Sequence, residues 1–297
     1  MRKVFILNNN TKDKVKYALM KNIKENLAGE DIIIEKTKAS GHATYIAKKY
    51  ALQEEPTHIF ICGGDGTVHE VVNGLVGANH IKVSILPIGT GNDFIKSFDG
   101  LTKEDFLNLG NYKETEAMDI DLMKVNGEYA INTISIGFDV KVAEEVNHMS
   151  NQFKLTGIGA YYMGMLKTLI QLKCEKYDFQ IDEEAQEGYY TIIALCNGRY
   201  YGGGYNPCPQ AQLNDGIIDM CCISDVTRRG VLKLAKVYEK GEHGNYPNLA
   251  TFFQGKTIHF NTKNKAVSVC LDGEIRQIKN PTIEIEQNVI HLLLPKK

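Results

Sequence analysis

The first 120 or so residues alternate between two hydrophobic patterns. Short continuous apolar runs (KVFILN, DIIIEKT, HIFICGG, KVSILP) are separated by stretches whose apolar residues recur at helical spacing (DKVKYALMKNIKENLA, ATYIAKKYALQ, VHEVVNGLV). Continuous apolar strands interleaved with amphipathic helices predict a parallel sheet covered on both faces, a doubly wound, Rossmann-like α/β domain. Past about residue 121 the texture changes. LMKVNGEYAINTISIGF reads as two strands about Asn126-Gly127, the favoured two-residue hairpin turn. YDFQIDEE, GYYTIIALCNG, GIIDMCCISDV, KTIHFN, AVSVCLDGE, PTIEIEQ and VIHLLLP continue as short strands between turn signals, the pattern of an antiparallel β-sandwich. Two helical stretches interrupt them, Tyr161 to Leu172 and RRGVLKLAKVYEKG. The expected division is an α/β domain over 1–121 and a mostly antiparallel β-sandwich over 122–297, with a cleft between them. The last residues are left free to return to the first domain.

Composition narrows the classes. The chain has 297 residues with 34 Lys plus Arg against 36 Asp plus Glu, a net charge of -2. Without a basic surplus or a Lys/Arg cluster, nothing predicts binding to nucleic acid. Seven cysteines, an odd number without C-x-x-C spacing, point to a reduced, cytoplasmic setting. Cys221 and Cys222 are adjacent on an expected strand, so their thiols should face opposite sides and serve packing. The apolar stretch in MRKVFILNNN is too short for a signal peptide, and no run of 18 apolar residues predicts a membrane span. The nearest, TGIGAYYMGMLKTLIQL, carries Lys167 and reads as a partly buried amphipathic helix.

Ligands of open α/β sheets collect at the carboxyl ends of the strands. GGDGT (63–67) and PIGTGNDF (87–94) both begin where an expected strand ends. Other motifs fail: no G-x-x-x-x-G-K-[ST] occurs, and GTGNDF lacks the final glycine of the dinucleotide fingerprint. HEVVN opens like a zinc-protease motif, yet Asn73 stands where the second histidine is needed, and His69 is expected on the surface in a first helical turn.

GGDGTVHEVVNG, followed by PIGTGNDF, DGIID and LDGE in that order along nearly the whole chain, resembles the diacylglycerol kinase catalytic family. That family also includes sphingosine and ceramide kinases and bacterial lipid kinases. The Glu70-Val71-Val72-Asn73-Gly74 continuation is its lipid-kinase form, while NAD kinases and phosphofructokinases share only the glycine-rich core. The resemblance implies an ATP- and Mg²⁺-dependent kinase acting on a lipid hydroxyl, most simply diacylglycerol to phosphatidic acid, at the inner face of a membrane. The oligomeric state stays open, a homodimer included. Two rivals remain: NAD kinase-like phosphorylation of a soluble dinucleotide, and a non-catalytic nucleotide- or lipid-binding relative.

Site residues carry over from the resemblance position by position. Gly63, Gly64, Asp65, Gly66 and Thr67 correspond to the loop that receives ATP phosphates, backed by the positive end of the following helix. Glu70, Thr90 and Thr37 are further nucleotide positions. The first loop reads NNNTKD where the family has Asn-Pro-x-Ser-Gly, so Asn8 aligns while the proline and glycine are absent. Asn10, Thr11 and Lys12 offer an amide, a hydroxyl and an ammonium to phosphate; alternatively Thr11 caps the next helix. Asp65, Asp93 and Asp119 match an acidic trio that holds Mg²⁺ largely through water. Bare like charges at 4 Å repel by about 4 kcal/mol at an effective dielectric of 20, and an intervening cation reverses the sign. A second metal position is implied at Asp215 with the carbonyls of Gln212 and Ile217, where a plain Asp-Gly turn is the alternative. Glu274 of LDGE is the implied general base, Asp272 its turn residue, and Arg199 a candidate phosphate contact.

Overall fold

The chain is described by a computed structural model covering residues 1–153, 173–224, 226 and 228–297. It forms two compact units, Met1–Leu122 with Glu286–Lys297, and Met123–Ile285.

The first unit holds β1 (Arg2–Leu7), α1 (Asp13–Asn26), β2 (Ile32–Lys36), α2 (His42–Ala51), β3 (Thr57–Gly63), α3 (Asp65–Leu75) and β4 (Ile81–Pro87). The strands pair in parallel in the order β2-β1-β3-β4. All seven residues of β3 are buried, as expected of a central strand covered on both faces. Phe5 and Phe60 stack at 4.5 Å within a core completed by Leu19, Ile23 and Leu86. The last strand, β16 (Thr282–Pro295), returns to lie parallel to β4, with His291 opposite Lys82. Buried Ser84 on β4 fastens it by donating to the Leu293 carbonyl at 2.7 Å while His58 Nε2–H donates to Ser84 at 2.8 Å. Burial holds His58 neutral, its pKa pushed down to about 3.

PTIEIEQ and VIHLLLP, expected as two strands, are one. Asn288 interrupts them with φ 56° while its N–H donates to Asp121 at 2.8 Å, so the left-handed residue makes a local break inside a continuous strand.

The second unit is a sandwich. One layer pairs the start of β16 with β13 (Thr257–Phe260), then β8 (Glu175–Ile181) and β9 (Glu184–Tyr190), all antiparallel. The other is six-stranded, built from β7 (Thr133–Gly137), β10 (Ile192–Cys196), β11 (Ile218–Ile223), β12 (Ala250–Gly255), β14 (Ala266–Leu271) and β15 (Glu274–Lys279). Ile181, Phe260 and Ile283 from the first layer meet Ile136, Leu195, Met220 and Leu271 from the second in one core. Cys222 lies in that core and Cys221 in a separate cluster with Cys196 and Cys208, the alternation expected of a strand pair. The hairpin between β5 (Thr115–Val125) and β6 (Glu128–Ala130) turns at Asn126 and Gly127, both with positive φ, as their type requires.

Helix α5 (Arg228–Glu239) forms where its spacing predicts. The helix expected at Tyr161 to Leu172 lies outside the described residues. An unexpected helix, α4 (Phe138–Phe153), starts directly from Gly137, whose φ is 109° and whose missing side chain leaves room for the Thr191 carbonyl. GYYTIIALCNG, expected as one strand, is divided between the end of β9 and β10, and strands β12 and β15 were not expected, because each carries polar residues on an edge or half-solvated face. Among the described residues no helix is long and apolar enough to cross a membrane.

Candidate functional site

The carboxyl ends of β3 and β4 carry the two glycine-rich loops, and the loops touch backbone to backbone. A Cβ on Gly89 would lie 2.3 Å from the Gly64 Cα, and one on Gly64 would lie 3.2 Å from the Gly89 Cα. Only glycine permits that approach. The Gly63 carbonyl fixes it by accepting from Ile88 N (3.1 Å) and Gly89 N (3.2 Å). From this junction α3 departs, with Thr67 N and Val68 N both donating to the Gly64 carbonyl. Gly63 leaves the space that the Thr67 side chain fills, and Asn8 Nδ2 reaches Thr67 Oγ1 at 3.0 Å.

A cavity with an empty volume of about 980 Å³, mouth included, opens on this junction. Asn8, Asn10, Thr37, Gly64, Asp65, Gly66, Thr67, Glu70 and Thr90 line it, so the structure brings together residues scattered over eighty positions. Gly63 lies beneath, at the end of β3. Thr11 and Lys12 are outside the lining. Helix α1 has Lys12 at its cap position with no side-chain cap bond, so Thr11 does not cap it. Asn9, Lys38, Ser40, Gly89 and Gly91 also line the cavity and were not singled out from sequence. Loops 8–10 and 37–40 have no glycine fingerprint; their place is set by tertiary bonds such as Asn9 N to Thr37 Oγ1 at 3.2 Å.

Asp65 sits in the first turn of α3. Its Oδ1 accepts from Asp93 N at 2.7 Å and from Phe94 N at 3.3 Å, while a Cβ on Gly91 would meet Asp65 Oδ2 at 2.9 Å and Asp93 Oδ2 at 3.7 Å. The two carboxylates therefore flank one glycine. Asp93 is buried and ion-paired to Lys96 at 2.6 Å. Asp119, on β5, pairs with His291 at 2.5 Å. Among the described residues no three His, Cys, Asp or Glu side chains converge on a metal position. The donor set nevertheless suits a hydrated cation on a phosphate chain: few carboxylates, a helix N-terminus, and open space at Gly66, where a Cβ would meet nothing within 4 Å. His69, expected on the surface, is 4% exposed, because α3 packs on both sides of the helix axis.

In the second unit Glu274 opens β15 after the Asp272-Gly273 turn, both residues at positive φ. Its side chain is about half exposed and lies 3.5 Å from Arg276, which grips Glu128 through two bonds of 2.9 and 2.7 Å. Asp272 does more than turn the chain: its carboxylate accepts from Ile131, Asn132 and Thr133 N–H at 2.9, 3.0 and 2.9 Å. Asp215 closes a turn by accepting from Ile217 N at 3.0 Å, with Gln212 exposed nearby in sequence and Gly216 at φ 72°. The Arg199 guanidinium lies 5.8 Å from the Tyr200 ring centre.

The same unit contains a mostly apolar cavity with an empty volume of about 710 Å³, mouth included, walled by Phe138, Val142, Ile192, Leu234 and Leu249 among the described residues. Asp139 is on its wall. Tyr201 donates to Asp139 Oδ2 at 3.0 Å and in turn accepts from Tyr238 at 3.2 Å. Burial pushes the Asp139 carboxyl up to about 6 from its ordinary 3.8, against the hydrogen bonds that favour the anion. A raised folded pKa means the native state binds more protons between those values, so stability falls as pH rises from about 4 to about 6. That shift corresponds to about 2 kcal/mol once cavity water is allowed for. Urea unfolding at pH 5.0 and 7.5 should show a loss of about 1 kcal/mol, the half of the effect not already lost below pH 5, in the parent that Asp139→Asn lacks. Equal losses in both would contradict the assignment.

The diacylglycerol kinase catalytic domain family model matches residues 2–125, and the YegS C-terminal NAD kinase beta sandwich-like domain matches residues 132–294. A diacylglycerol kinase of Bacillus subtilis (strain 168) is 28% identical over 273 residues, covering 91% of this chain and 88% of the relative. A protein of Staphylococcus aureus (strain JH9) that carries a lipid-kinase name is 30% identical over 249 residues, 79% of this chain and 76% of its own. Two crystal structures from Bacillus anthracis str. Sterne share the fold. One, at 24% identity, has a TM-score of 0.78 over 99% of this chain and 95% of that one; the other, at 20%, has 0.73 over 99% and 96%. The chain belongs to the diacylglycerol kinase catalytic family, with an α/β first domain and a YegS-type sandwich as its second.

Proposed function

We propose that this protein transfers the γ-phosphate of ATP to a lipid hydroxyl, with diacylglycerol as acceptor and phosphatidic acid as product, at the cytoplasmic face of a membrane. The observation that carries the reading is the contact of Gly64 with Gly89, which places Asp65, the first turn of α3 and the β4 loop around one polar cavity. ATP supplies the phosphoryl group and Mg²⁺ offsets its charge. The backbone N–H groups at the start of α3 receive phosphate oxygens, and Thr67, Thr90, Asn8 and Asn10 orient them. Asp65 and Asp93, which flank Gly91, would hold the cation through water, whereas Asp119, implied as a third member, is paired with His291 and lies outside the cavity lining; Asp65 also fixes the β4 loop through Asp93 N. Glu274 accepts the acceptor's hydroxyl proton, a late event in a loose transition state where positioning and charge dominate. The apolar cavity in the second unit supports an acyl substrate over a soluble dinucleotide.

The test is transfer of labelled phosphate from ATP into an extracted lipid, across diacylglycerol, sphingosine, ceramide and, as the soluble rival, NAD. Label in phosphatidic acid alone is the expected outcome; label in the dinucleotide, or in no acceptor, removes the proposal. Glu274→Gln should lower turnover about 100-fold and leave ATP affinity within twofold, as for loss of a general base. Unchanged turnover would take the role from Glu274.

A further inference from the structure

Two helix N-termini open on the polar cavity, α3 through Gly64 to Thr67 and α2 through Ser40 and Ala43. Both present backbone N–H groups and partial positive charge, so both are places where an anion would settle. They are not equivalent. Glu70, on the second turn of α3, crosses to the start of α2: its Oε1 accepts from Gly41 N at 2.8 Å and its Oε2 from Ala43 N at 3.0 Å. Ser40 Oγ approaches Oε1 at 3.5 Å, and Thr44 Oγ1 donates to the Glu70 carbonyl at 2.8 Å. The close crossing that allows this is set by Gly74, where a Cβ would stand 2.5 Å from the Ala47 Cβ and 2.6 Å from the Thr44 carbonyl.

We infer that Glu70 is a positioning residue that closes the α2 N-terminus with its own carboxylate and so leaves the α3 N-terminus as the anion position in the cavity. A carboxylate holding two N–H groups makes charge-assisted bonds and supplies the negative charge that the helix end favours. Phosphate entering the cavity is repelled from α2 and directed to α3, beside Asp65. Glu70 thus sets the register of the phosphate chain without touching it. The inference rests on the reading of the cavity as a polyphosphate site.

Removing the charge should therefore strengthen anion binding while weakening turnover, opposite to the loss of an ordinary ligand contact. The experiment is calorimetric titration of the full-length protein with inorganic pyrophosphate, in the parent, Glu70→Gln and Glu70→Asp, with lipid phosphorylation kinetics alongside. Glu70→Gln keeps the side chain's size and one acceptor; Glu70→Asp keeps the charge but falls one methylene short of the two amides. Pyrophosphate should bind about fivefold tighter to Glu70→Gln than to the parent, with Glu70→Asp between them. In Glu70→Gln kcat should drop about tenfold with KM for ATP unchanged or lower. Weaker or unchanged pyrophosphate binding in both variants overturns the proposal, since Glu70 would then contact the ligand or only brace the fold. A parent that binds pyrophosphate but phosphorylates no lipid would fail the kinase reading and leave the titration comparison intact.

Discussion

Asp65→Asn should slow phosphate transfer to lipid by at least about 1,000-fold while the protein melts within a few degrees of the parent. The two halves of that expectation come from different oxygens. Asp65 Oδ1 accepts from Asp93 N and Phe94 N, and an asparagine carbonyl can accept from the same two groups. The amide nitrogen would replace Oδ2 on the side facing Gly91 and the Asp93 carboxylate, where a donor beside an anion is welcome. The fold is thereby kept. What disappears is one negative charge on the cavity wall, one of the two proposed to hold a hydrated cation there. A factor of 1,000 is about 4 kcal/mol of transition-state stabilisation, within the range attributed to charge preorganisation. Labelled transfer assays with melting curves on the same samples decide it. Turnover within tenfold of the parent would remove Asp65 from the machinery.

The first domain was legible because its signals are local. Continuous apolar strands, helical spacing and glycines at strand ends all act within a dozen residues, and the loop 63–67 was located by them alone. The sandwich was legible as a class, yet two of its strands, β12 and β15, escaped notice and β9 was run together with β10. Phe252 on β12 is apolar but exposed, and β15 reads EIRQIK, so edge pairing rather than apolar alternation makes these segments strands. Residues whose roles come from tertiary bonds were the least visible. Glu70 is read from the resemblance as a nucleotide position and does line the cavity, while its bonds to Gly41 and Ala43, nearly thirty residues upstream, are indicated by no local pattern. Asp272 looked like a turn residue, while its carboxylate organises the backbone at Ile131 to Thr133 some 140 positions away. Asn288 read as a strand break because its left-handed φ is supported by Asp121, a partner no local pattern indicates.

Gly89→Ala should destabilise the protein by about 3 kcal/mol and weaken ATP binding at least tenfold, whereas Gly66→Ala should weaken ATP binding and leave stability unharmed. The contrast separates the two uses of glycine in one site. At Gly89 the added methyl would lie 2.3 Å from the Gly64 Cα and 2.8 Å from its nitrogen, both backbone atoms that no rotamer change can move. The loops would have to part, stretching the bonds from Ile88 N and Gly89 N to the Gly63 carbonyl and tilting the start of α3 away from the β4 loop. Overpacking of this kind costs about 1–3 kcal/mol where side chains can yield, and more where only backbone can. At Gly66 nothing lies within 4 Å of the new methyl. Its backbone is helical, so alanine there should add about 0.5 kcal/mol through the unfolded chain. That methyl would instead stand in the cavity, at the proposed phosphate position. Denaturant unfolding and ATP titration of the two variants test the pair together. A Gly89→Ala protein as stable as its parent would show that the two loops are not locked against each other, and the basis for the phosphate site would go with that contact.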